Sequence, residues 1–152
     1  MTLEKNNQVA TLTNFGPAFK IHLKVKLNDF PTRAQEWSNI LYVTNGAQDS
    51  TSGTRYPALY LNKDEFFTFN IWRNGRVYYA KYGHLDLNQD YDIIIAQNLI
   101  QGKWMVQVFV DGVLFKSIET TDPLEIEDAK VYFSDPYPAP ADAEVKYVKI
   151  EY

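Results

Sequence analysis

The chain has 152 residues, a formal net charge of -4 and no cysteine. That length fits one domain with a well-buried core, and the missing thiols exclude disulfide scaffolds, cysteine nucleophiles and thiolate metal sites. The acidic balance argues against nucleic acid as a partner, because such binding rests on a clustered positive field.

Eleven Tyr, nine Phe and three Trp suit pleated, half-buried strands. The opening residues "MTLEKNNQVA" lack the apolar run of a signal peptide, and no stretch approaches the ~20 apolar residues of a membrane span. The first clear element is "FKIHLKVKL" (Phe19 to Leu27), where Phe19, Ile21, Leu23, Val25 and Leu27 alternate with Lys20, His22, Lys24 and Lys26. A period of two puts one face on a core and leaves the lysine face to water, where it also discourages edge pairing.

Further strands are expected at Asn39 to Thr44, Pro57 to Asn62, Phe66 to Trp72, Arg76 to Tyr82 and Tyr91 to Ile100. Four more follow at Trp104 to Val110, Val113 to Glu119, Lys130 to Ser134 and Val145 to Tyr152. Asn74-Gly75 and Asp111-Gly112 read as two-residue hairpin turns, which need positive φ at both positions. About ten short strands without a helical period predict an all-β, two-sheet antiparallel jelly-roll sandwich filling residues 1–152 as a single domain. Phe19, Leu23, Phe67, Phe69, Val106 and Val108 are expected in its core. The long loops Asn45 to Arg55 and Ser134 to Glu144 are where binding residues on a rigid sandwich tend to sit.

Several stretches, "NFGPAFKIHLKVKLNDFP", "WSNILYVTNG", "GTRYPALYLN" and "KVYFSDPYPAPADAEVKYVKI", occur in that order. Together they resemble the concanavalin A-like, laminin G-like lectin/glucanase domains of extracellular animal proteins. Trp37, Asn39, Arg55, Pro57, Ser134, Asp135, Pro136, Tyr137, Pro140 and Ala141 carry the likeness. It implies a jelly-roll fold and an extracellular or secreted setting, with any signal peptide outside these residues. Because this scaffold hosts lectins, adhesion modules and hydrolases alike, function has to be argued from sites.

"EIEDAK" (Glu125 to Lys130) is similar to part of the catalytic strand of laminarinase-like hydrolases. Retaining hydrolysis needs acids on one strand face with the two working carboxyls ~5–5.5 Å apart. Glu125 and Glu127 fill the first two positions, and Ala129 stands where the acid/base belongs, so no catalytic residue and no enzyme is expected. The galectin signatures His-x-Asn-x-Arg and Trp-Gly-x-Glu are absent.

A sugar site needs aromatic faces for stacking and amides or guanidinium groups for the hydroxyls. Along "FFTFNIW", Phe67, Phe69 and Ile71 form one face, and Thr68, Asn70 and Trp72 the other. Asn70 and Trp72, with Tyr78 and Tyr82 expected across the hairpin, Arg55 from the preceding loop and His84 at a rim, form the candidate ligand-binding set. The plainer alternative is that these aromatics pack the outer sheet face against a loop.

The resemblance also implies possible calcium binding, for which Asp49 and Asp135 are the candidate ligands; no other cofactor is indicated. The expected function is a non-catalytic lectin-like module recognising glycan or glycoprotein. The alternative is an adhesion domain acting through protein contacts or homo-oligomerisation, and a glycoside hydrolase comes last.

Overall fold

A computed structural model describes residues 1–47, 54–134 and 139–152. The strands in chain order are β1 (Gln8–Phe15), β2 (Phe19–Leu27), β3 (Trp37–Thr44), β4 (Ala58–Asn62), β5 (Phe66–Arg73), β6 (Arg76–Gly83), β7 (Asp90–Ile100), β8 (Lys103–Val110), β9 (Val113–Glu119), β10 (Ile126–Tyr132), β11 (Ala139–Pro140) and β12 (Ala143–Glu151). Helix among the described residues is a single 3-10 turn at Arg33–Gln35.

Five strands in the order β12-β2-β7-β8-β9 form one sheet. The other has the order β1-β10-β3-β4-β5-β6, with β11 attached to β3. All pairings are antiparallel except the two-residue contact of β11 with β3. The two sheets form a jelly-roll sandwich.

The alternation of β2 is realised in space. Ile21, Leu23, Val25 and Leu27 are fully buried between the sheets, while Lys20 and Lys24 are exposed. His22 is held to Asp92 at 2.7 Å and lies edge-on to Tyr147, so the polar face of this strand is laced to its neighbours. Phe67, Phe69, Val106 and Val108 join the same core. Asn74-Gly75 and Asp111-Gly112 both turn with positive φ at each residue, and Gln101-Gly102 makes a third such turn.

β1 differs from the expected strand set because it is an edge strand, five of whose eight residues are exposed. Its polar run "QVATLTNF" therefore lacks a clean period. β10 begins at Ile126, four residues before the expected start. Its first turns pair with that unrecognised β1, Phe15 lying opposite Ile126.

Candidate functional site

The register of the β5–β6 hairpin decides which side chains can form a site. The two-residue turn sets Arg73 opposite Arg76, so Trp72 pairs with Val77, Ile71 with Tyr78, Asn70 with Tyr79, Thr68 with Lys81 and Phe67 with Tyr82. Opposite residues share a face. Tyr78 and Tyr82 therefore stand with Ile71 and Phe67 on the inner side, which corrects the expected grouping with Asn70. Both pack against the inter-sheet core, and Tyr82 meets Phe115 edge-on at 5.1 Å.

Trp72 is also placed differently from expectation. Its indole is 4% exposed, belongs to the main core cluster and donates Nε1–H to Asp122 Oδ2 at 2.8 Å. Asp122 lies between β9 and β10, and the same oxygen accepts from Gly75 N at 2.8 Å. Asn74 Oδ1 accepts from both the backbone N and the hydroxyl of Thr121. The β5–β6 turn is thereby fastened to residues 120–122, and Trp72 serves that fastening. His84 is exposed just past the end of β6, at the opposite end of the strand from the turn.

Asn70 and Arg55 each adjoin Tyr79, a residue outside the expected set. One rung crosses six strands on the outer face of the larger sheet: Gln8, Tyr132, Tyr42, Ala58, Asn70 and Tyr79 are successive cross-strand partners. The next rung carries Tyr60, Thr68 and Lys81. Tyr42, Ala58, Tyr60 and Tyr132 form a second apolar cluster, separate from the core between the sheets.

Arg55 lies over this face. Its Nη1 donates to the Tyr79 hydroxyl at 3.2 Å, and its guanidinium carbon stands 5.9 Å from the centre of the Tyr60 ring. Tyr79 is 58% exposed. Asn70, beside it on the rung, is 3% exposed, and its Oδ1 has no hydrogen-bond partner among the described residues. An orphaned buried amide oxygen is costly, and here it belongs to the residue opposite the exposed Tyr79.

Tyr79 was findable from the sequence. The Asn74-Gly75 turn alone fixes the register and hence its opposition to Asn70. The contributions of Tyr42 and Tyr132 were not findable, since they depend on β10 lying beside β3.

Both acids of the hydrolase-like segment are exposed, and the third position is apolar. Glu125 precedes β10 and is exposed, Glu127 is exposed, and Ala129 is fully buried opposite Leu12 in the core. The calcium candidates Asp49 and Asp135 lie outside the described residues. Among the described residues no three His, Asp or Glu side chains gather as a metal site, and no helix is long and apolar enough to cross a membrane.

No family model matches this chain, and no curated protein sequence matches it. Solved structures do share its fold. Sheep galectin-11, solved with glycerol, superposes with a TM-score of 0.54 at 14% identity, over 95% of this chain and 98% of that one. The binding domain of botulinum neurotoxin serotype D gives 0.63 at 12% identity, over 95% of this chain and 34% of the toxin chain. The sialidase of Trypanosoma rangeli, solved with sialic acid, gives 0.63 at 16% identity, over 88% of this chain and 20% of the enzyme. This chain thus spans a third or less of the toxin and sialidase chains it matches. At these identities the likeness is one of fold: the chain is a two-sheet jelly roll, and the comparison does not single out the laminin G-like branch.

Proposed function

We propose that this chain is a non-catalytic, lectin-like binding module that takes glycan or glycoprotein on the outer face of its larger sheet and works outside the cell. The observation that carries this reading is the buried Asn70 Oδ1, without a hydrogen-bond partner among the described residues, on the same rung as the exposed Tyr79, whose hydroxyl Arg55 meets. Sugar rings stack on aromatic faces through their C–H groups and present hydroxyl donors at the rim. A hydroxyl delivered to Asn70 satisfies the orphaned oxygen while the ring lies on Tyr79. Arg55 then exchanges its bond to the Tyr79 phenol for a bond to the ligand. The buried Ala129, at the position where a hydrolase needs its acid/base, supports a binding role over hydrolysis.

A glycan array probed with purified protein tests the proposal, followed by Tyr79→Ala and Asn70→Ala on any ligand found. Selective binding that both variants weaken supports it. Binding that neither variant alters places the ligand elsewhere.

A second reading, protein contact or homo-oligomerisation, is favoured by the outer edge strand β9, where Val113 and Leu114 are 69% and 47% exposed. Edges of this kind invite strand addition. A concentration-dependent dimer in sedimentation, dispersed by Val113→Lys, would favour it.

A further inference from the structure

The charge distribution around this face narrows the class of ligand. The chain carries 19 Asp and Glu against 15 Lys and Arg, yet β3, β4, β5 and β6 contain no carboxylate at all, and they carry Arg73, Arg76 and Lys81. Four neighbouring strands of an acidic protein thus carry cations alone, Lys81 on the outer-face rung of Thr68 and the Arg73–Arg76 pair at the hairpin tip.

A groove of about 450 Å³ opens at the hairpin end of β5 and β6, lined by Arg73, Asn74, Arg76, Val77, Tyr78 and Tyr79. Tyr79 belongs both to the lining of this groove and to the outer-face rung, and Arg73 and Arg76 pair across the hairpin tip. Arg73 is fixed in place, its Nε donating to the Glu119 carbonyl at 3.0 Å and its guanidinium lying 5.6 Å from the Tyr78 ring centre. Arg76 is exposed and makes no ion pair among the described residues.

The carboxylate of Asp122 approaches the turn with its oxygens engaged by donors of the protein itself. Trp72 Nε1, Gly75 N and the Thr120 hydroxyl all point at it. Arginine's planar fork matches carboxylate and sulfate oxygens.

We propose that the ligand is an anionic saccharide: its ring lies on Tyr79 and its sulfate or carboxylate group enters the groove between Arg73 and Arg76. This rests on the lectin-like reading of the outer face and adds the charge of the sugar to it.

The test measures binding of the full chain, by calorimetry, to three probes of matched length: a heparin-derived sulfated oligosaccharide, a hyaluronan oligosaccharide bearing carboxylates alone, and neutral maltodextrin. Polyglutamate serves as a sugar-free polyanion. One or both acidic saccharides are expected to bind at least tenfold tighter than maltodextrin, and to weaken as salt rises from 50 to 300 mM. The stronger of the two identifies the anion. Arg76→Glu, at an exposed position, should leave the melting temperature unchanged and lower acidic-saccharide affinity by about 10- to 100-fold, as expected for one charge-assisted hydrogen bond.

Polyglutamate binding as tight as that of the saccharides would overturn the proposal, as would acidic-saccharide binding indifferent to Arg76→Glu. Equal binding of neutral and acidic sugars, lost in Tyr79→Ala, would overturn the charge preference and leave the lectin-like reading standing. No binding to any saccharide would overturn both.

Discussion

Trp72 and Asp122, fifty residues apart, are joined by a 2.8 Å hydrogen bond from the indole N–H to a carboxylate oxygen that Gly75 N also reaches. This contact binds the tip of the β5–β6 hairpin to the segment linking the outer strand of the smaller sheet to β10. The hairpin bearing Tyr79 and Arg76 is thus held at the end of the sandwich by a buried polar contact as well as by its ladder.

Trp72→Ala should accordingly destabilise the fold by ~3–5 kcal/mol, the range for emptying a buried aromatic site. Trp72→Phe retains most of the ring but deprives Asp122 of a donor, and should cost ~1–3 kcal/mol. Urea unfolding measures both. A loss under 1 kcal/mol in Trp72→Ala would show that the indole is not anchored as described.

Asn70→Ala makes the opposite separation between stability and binding. Removing a buried amide oxygen that lacks a partner relieves a desolvation cost, so stability without ligand should stay within about 1 kcal/mol of wild type or rise. Saccharide affinity should fall about tenfold, the size of one lost hydrogen bond. Thermal melts with and without saccharide distinguish the two effects. A large loss of stability with unchanged binding would make Asn70 a structural residue.

These contrasting roles for Trp72 and Asn70 show what could be read from the chain. The alternation of Phe19 to Leu27 and the Asn-Gly and Asp-Gly turns predicted both the sandwich and its inner face, because strand period and turn geometry are local properties. Strand parity also separated Asn70 from Phe69. The error over Tyr78 and Tyr82 was one of register, which the turn at Asn74-Gly75 already determined. Trp72 is different. Its burial depends on residues 120–122 folding back over the hairpin, a contact with no periodic signature. Tyr42 and Tyr132 likewise meet because β10 lies beside β3 across a long stretch of chain.

Laminarin and lichenan should remain intact in the presence of the purified protein. The two working carboxyls of a retaining site must stand ~5–5.5 Å apart on one face, and the buried Ala129 contributes none. Reducing-end assays check this; release of sugar that Glu125→Gln abolishes would establish a hydrolase.

The last prediction concerns alkaline pH. The Tyr56 hydroxyl donates to the Leu124 carbonyl at 2.9 Å and accepts from Leu124 N at 2.8 Å, and the Gln97 amide also donates to it. Burial pushes its phenol above the ordinary value of 10.0; the hydrogen bonds from Leu124 and Gln97 pull the other way, and the Asp122 charge adds to the rise. Burial likewise raises Tyr91, against the hydrogen bond from Asp86 N.

A folded-state value above the unfolded one means the fold favours the neutral phenol. That contribution is complete below pH ~10 and is lost as pH rises from there through the raised folded values. Melting temperature should therefore lack any tyrosine-linked decline from pH 7 to ~9.5 and fall beyond it.

Tyr56→Phe should cost ~1–3 kcal/mol at neutral pH by orphaning buried groups, although Gln97 Nε2 keeps its 2.7 Å bond to the Pro17 carbonyl. Its alkaline decline should be shallower than that of wild type, because a raised phenol is gone. Melting curves at half-unit steps to pH 11.5, paired with phenolate absorbance, measure both effects. Equal slopes in the two proteins would assign the alkaline transition to groups other than Tyr56.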